Sequence, residues 1–104
     1  MIDPSRLQEM MREAQRMQER MQQELKTKVV EGQSGGGMVK VSLNGLLEVQ
    51  AVKIEKGAVD ANDVTLLEDL VRAAVAQAIQ RAEEARMEHT RSLAGNLGLP
   101  TGMF

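Results

Sequence analysis

No aromatic side chain stands before the last residue: Phe104 is the only Phe, Tyr or Trp in 104 residues. A core must therefore be assembled from Leu, Val, Ile, Ala and Met, without the large area that each ring buries. A chain of this length forms one small domain and buries a limited fraction of its surface. Pairing with a second copy is the direct way to bury more. Cysteine is absent, which excludes disulfides and thiolate metal sites and suits a reducing compartment. The N-terminus carries Asp3, Arg6 and Glu9 instead of an apolar signal core. The longest uncharged stretches fall well short of a membrane span. The expected location is the cytoplasm, with no membrane partner.

The apolar pattern changes period along the chain. Over residues 4–25, Leu7, Met10, Ala14, Met17 and Met21 recur at steps of three and four, with Met11 and Leu25 flanking them. This is the signature of one helix face. Asp3 and Pro4 supply a cap and a first-turn residue. Arg12, Arg16 and Arg20 line the opposite side, interleaved with Glu9, Glu13 and Glu19. So long a seam on so small a chain predicts that Leu7, Met10, Met17 and Met21 meet another helix, in the core or across a symmetry axis.

From Lys26 the period shortens. Val29 and Val30 mark a short strand ending at Glu31, followed by a glycine-rich loop over 32–37. In Met38 to Asn44, Val39, Val41 and Leu43 alternate with Lys40 and Ser42, a half-buried strand. Asn44-Gly45 is a strong hairpin signal. A third strand runs from about Leu47 to Glu55. Its apolar parity switches between Val49/Ala51 and Val52/Ile54, which fits either a bulge or a strand covered on both faces. Beyond a polar connection, capped by Asp60, Asn62 or Asp63, residues 64–91 regain a helical period through Leu67, Leu70, Val71, Ala74, Val75, Ala78, Ile79 and Ala82. The alanines there permit close approach of another element, and Gly95 is the expected stop. The order is α-β-β-β-α: helix over 1–25, sheet over 26–56, connection and helix over 57–95, tail over 96–104.

The stretch "SGGGMVKVSLNG" tests whether the glycines cradle a nucleotide. A phosphate cradle needs backbone N–H groups at a helix N-terminus, followed in the P-loop by Lys-Ser/Thr. Here Gly37 leads into Met38 and Val39 of a strand. The glycines make a turn. Catalytic and metal constellations are equally poor. His89 is the sole histidine and reads as a solvated surface residue. Glu68-Asp69 and Glu83-Glu84 diverge on a helix surface, where solubility and dipole roles suffice. Asp60, Asn62 and Asp63 lack the glycine and later ligands of a calcium loop. No enzyme, small-molecule substrate, metal or cofactor is expected.

Net charge is −2, but it is unevenly placed. Residues 1–25 carry −1, residues 26–56 carry +2, and residues 57–104 carry −3. Without aromatic residues, stacking on unpaired bases is disfavoured. Charge physics permits Arg and Lys contact with duplex phosphates, of low sequence specificity and strong salt dependence.

"SGGGMVKVSLNG", "EVQAVKIE", "LLEDLVRAAVAQAIQRAEE" and "LGLPTGMF", preceded by "MMREAQRMQERMQQEL", together closely resemble the YbaB/EbfC family of bacterial nucleoid-associated proteins. The resemblance spans nearly the whole chain in order. It implies an α+β protomer with a three-stranded antiparallel sheet and long terminal helices. It further implies a cytoplasmic, nucleoid-located homodimer that binds double-stranded DNA and serves nucleoid organisation and gene regulation without catalysis. Family binding is attributed to helical surfaces. This selects Arg12, Arg16 and Arg20 on the first helix and Arg81, Arg86 and Arg91 on the last as phosphate contacts, with Lys26 and Lys28 secondary. Two departures stand out. Ile54-Glu55-Lys56-Gly57 replaces the frequent Ile-Asp-Pro, and Thr101 separates Pro100 from Gly102. A dimeric protein-interaction module using the methionine seam is the alternative.

Overall fold

Asp3 and Pro4 begin the first helix as their chemistry requires. In the computed structural model, which describes residues 3–96, Asp3 is extended and its Oδ1 accepts the Ser5 N–H at 3.2 Å. Pro4 occupies the first turn, where its missing N–H strands no donor. Helix α1 spans Pro4–Thr27, strand β1 Val29–Ser34, strand β2 Val39–Asn44, strand β3 Val49–Ile54 and helix α2 Val64–Asn96. Short 3₁₀ turns at Gly35–Gly37 and Lys56–Ala58 complete the α-β-β-β-α order. The strands form one antiparallel sheet in the order β1-β2-β3, an α+β fold.

Register assigns the two faces of the sheet. Val41 pairs with Gly32 on one side and Val52 on the other, and Val39 pairs with Ser34 and Ile54. The inner face thus holds Val30, Gly32, Val39, Val41, Leu43, Val52 and Ile54. Helix α2 lies mainly over β1 and β2. There Ala74, Ala78 and Ala82 close on Val39, Val41 and Leu43, with Val30, Leu67, Leu70, Val71 and Val75 packed around them. The spacing of the alanines brings the helix backbone against Gly32, where a side chain would collide with Ala74 and Ala78. Gly32 accordingly belongs to β1. The expected loop shrinks to Gly35–Gly37, whose φ values of 59°, 67° and 94° only glycine adopts freely.

Ser42 pairs with Ala51 but Leu43 pairs with Val49, so the strand of unsettled parity contains a bulge. The β2–β3 connection is wider than a two-residue Asn-Gly hairpin. Asn44, 1% exposed, uses Oδ1 to accept the N–H groups of Leu46 and Glu48, and its Nδ2 donates to Glu48 Oε1. Gly45 N–H turns away to donate to the Leu25 carbonyl at 2.8 Å, tying the turn to the end of α1. Of the three expected caps, Asp63 begins α2, accepting the Leu66 N–H at 3.2 Å. Gly95 does not end the helix, which continues to Asn96. The tail expected after it lies outside the described residues, apart from Asn96.

Candidate nucleic-acid interface

Helix α1 stands away from the sheet. Its 24 residues make a rod of about 36 Å, and the molecule extends over 72 × 25 × 16 Å. Every residue from Pro4 to Arg20 is exposed. Arg12, Arg16 and Arg20 follow one another at four-residue steps, rising about 6 Å each time. The glutamates between them do not neutralise them pairwise: among the described residues the ion contacts are Arg72–Asp69 and His89–Glu24. Lys26 and Lys28 at the end of α1 are likewise exposed and unpaired.

The arginines of α2 divide into two kinds. Arg86 and Arg91 are exposed, with no ion pair among the described residues. Arg81 is engaged: its Nη1 donates to the Glu31 carbonyl of β1 at 2.6 Å. One turn earlier, Gln77 Oε1 accepts the Gln33 N–H at 2.8 Å. Ser34 Oγ donates to the Leu70 carbonyl. Arg81 and Gln77 thus occupy backbone groups on the free edge of β1 and block the addition of another strand there. Sequence reasoning missed this role, since its signal lies in contacts 44 and 50 residues apart.

His89 is not a solvated surface residue. Its side chain is 19% exposed, and Nε2 lies 3.3 Å from Glu24 Oε2 without hydrogen-bond alignment. This contact joins the last turns of α1 to α2. Along their helices, Arg20 and Lys26 lie within about 6 Å of Glu24, and Arg86 and Arg91 within about 5 Å of His89. Arg12 and Arg16 lie further out, at about 18 and 12 Å along the helix from Glu24.

Leu7, Met10 and Met17 of the apolar seam are exposed and Met21 is half-buried, so the described protomer leaves the seam without a partner. A cleft of about 340 Å³ between α1 and the β2–β3 turn is lined by Glu19, Gln22, Gln23, Lys26, Leu46 and Glu48. Its walls are polar and mixed in charge. Among the described residues no acidic or histidine cluster has metal-site geometry, and no helix is long and apolar enough to cross a membrane.

Residues 4–97 match the profile of the YbaB/EbfC DNA-binding family. The chain belongs to that family. A nucleoid-associated protein of Acidobacterium capsulatum is 44% identical, over 99% of this chain and all of that protein. One from Caldanaerobacter subterraneus subsp. tengcongensis is 47% identical over 91% of this chain and 87% of its own length. The crystal structure of the uncharacterized protein HP0035 from Helicobacter pylori superposes with a TM-score of 0.71 at 26% identity, covering 93% of this chain and 98% of that one. The departure expected at Glu55-Lys56-Gly57 follows directly on the end of β3. Here the 3₁₀ turn Lys56–Ala58 buries Ala58 and leaves the strand pairing intact. The departure at Thr101 lies outside the described residues.

Proposed function

We propose that this chain acts as a homodimeric, non-enzymatic DNA-binding protein of the cytoplasmic nucleoid, holding duplex DNA through its phosphates and contributing to nucleoid organisation and gene regulation. The observation that carries this reading is the exposed α1 rod with Arg12, Arg16 and Arg20 unpaired along one side. Guanidinium forks suit phosphate oxygens, and the row can engage a duplex without reading bases. Lys26, Lys28, Arg86 and Arg91 extend the basic surface at the α1–α2 junction. Arg81 contributes chiefly through the β1 edge. Membership in a DNA-binding family and relatives named nucleoid-associated support the same conclusion.

The homodimer is supported by what one protomer leaves uncovered. Among the larger apolar side chains described, only Val39, Val41 and Leu43 are buried, while Val49, Val52 and Ile54 of β3 are 64%, 51% and 42% exposed. Ile79 of α2 and the α1 seam are exposed as well. A second copy covers such faces by symmetry, and doubling each arginine row raises affinity by avidity.

Fluorescence anisotropy with a labelled duplex at several salt concentrations tests the reading, alongside an Arg12→Ala/Arg16→Ala/Arg20→Ala variant checked for folding and dimer mass. Wild-type binding should weaken steeply with salt. The variant should bind more weakly, with a salt slope smaller by about 0.9 for each phosphate it no longer neutralises. Absence of binding at low salt overturns the DNA reading; equal binding by the two proteins keeps it but removes α1 as the surface.

The exposed Met10, Met11 and Met17 favour one other reading, a protein-interaction module with an adaptable apolar groove. Partner binding that survives high salt and fails on Met17→Lys, with the dimer intact, would favour it.

A further inference from the structure

The outer face of the sheet, opposite α2, carries two lysines side by side. Lys40 of β2 is the direct cross-strand partner of Lys53 of β3, and Gln33 of β1 completes the row. Directly opposed side chains have Cβ atoms about 5 Å apart, and like charges placed so are destabilising. A glutamate at either position would turn the repulsion into attraction. Neither lysine forms an ion pair among the described residues. The carboxylates on this face, Glu31 and Glu55, belong to neighbouring rows.

The surroundings keep the pair accessible. The next row sets Ser42 between Ala51 and Glu31, so two small residues lie beside the lysines and the carboxylate stands at the β1 end of the row. On the other side, a Cβ at Gly37 would lie 3.5 Å from both Gln33 Oε1 and Lys40 Cε. The bare glycine therefore leaves room where the Gln33 amide and the Lys40 stem converge. Lys53 is exposed and Lys40 half-buried, and an anion reaching them passes over Ser42, Ala51 and the bare Gly37, with Glu31 and Glu55 flanking.

We propose that the Lys40–Lys53 pair, with Gln33, is a second phosphate-binding surface for duplex DNA, additional to the arginines of α1. This rests on the DNA reading above, which supplies the polyanion. Charge complementarity selects the occupant: an anion relieves the repulsion the register imposes. A dimer that covers the inner apolar face leaves this outer face open, twice per molecule.

The test is the full-length Lys40→Gln/Lys53→Gln variant, measured for urea stability and for duplex binding across salt concentrations. The expected result is stability equal to or above wild type, weaker binding, and a salt slope smaller by about 0.9 for each phosphate left unneutralised. Unchanged affinity and slope in the folded variant overturn the proposal and leave the DNA reading standing. No wild-type binding at low salt overturns both. Unchanged DNA binding with abolished retention on immobilised polyglutamate would assign the pair to an acidic protein surface, also overturning it. Should the double variant lose stability, Lys53→Gln on the exposed edge strand decides by the same slope: reduced supports, unchanged overturns.

Discussion

Gly32 of β1 and Ala78 of α2 meet backbone to backbone: a Cβ on Gly32 would lie 2.8 Å from the Ala78 Cα and would overlap Ala78 N and Ala74 O. No side-chain rotation relieves such a clash, because the obstacle is the helix itself. Gly32→Ala must push α2 off the sheet and loosen Val39, Val41 and Leu43 beneath it. The expected cost is roughly 3 kcal/mol or more, the upper range for overpacking. It should appear as a lower urea midpoint, together with reduced amide protection in β1 and α2.

Asn44 is the one fully buried polar side chain among the described residues, and its three hydrogen bonds hold the β2–β3 turn. Asn44→Ala leaves the Leu46 and Glu48 N–H groups to find water and empties the space under the turn. A destabilisation of about 2 kcal/mol is expected. Because Gly45 N–H also holds Leu25, hydrogen exchange should quicken in the last turn of α1 as well as in the turn itself. A change confined to residues 44–48 would contradict that coupling.

What could be read along the chain is what neighbouring residues decide. The α1 seam, its Asp3-Pro4 start and the alternation of β2 follow from local spacing, and the parity break of the third strand narrowed the choice to bulge or double burial. The remainder was decided by distant parts of the chain. Gly32 resembles a strand breaker until α2 arrives more than forty residues later. Asn44-Gly45 resembles a tight hairpin until Leu25 claims the Gly45 N–H. Arg81 and Arg86 belong to the same helix, yet one reaches a strand edge and the other solvent. Family resemblance pointed to helical arginines as the candidate interface, but a charge on a helix does not announce its partner. The Lys40–Lys53 row emerges only with the register.

Arg81 therefore separates stability from binding. Arg81→Ala leaves the Glu31 carbonyl on the β1 edge to water, and Gln77→Ala does the same for the Gln33 N–H. Each is expected to cost about 1 kcal/mol, with the double variant gaining a tendency to associate through the opened edge. Arg86→Ala, fully outside this network, should leave the unfolding free energy from urea titration within about 0.5 kcal/mol of wild type. Light scattering on concentrated samples distinguishes edge association from the specific dimer. Equal midpoints for Arg81→Ala and Arg86→Ala would remove the edge-sealing role.

The sealed β1 edge leaves β3 as the open side of the sheet, and the inner face of β3 is where apolar surface remains. Val52 and Ile54 sit on the same face as the core residues Val41 and Val39, their direct partners, yet they stay 51% and 42% exposed. If a second copy covers this strip, Val52→Glu places an unpaired carboxylate in the interface. An uncompensated buried charge costs roughly 3 kcal/mol, so the dimer dissociation constant should rise at least about 100-fold. Sedimentation equilibrium reads this directly. Lys53→Glu, one residue along on the opposite face, replaces the like-charge row with a Lys–Glu pair and should leave dimer mass unchanged. Dissociation by both variants, or by neither, would place the interface elsewhere. Dissociation by Val52→Glu alone would fix the inner face of β3 as the surface that a second protomer completes.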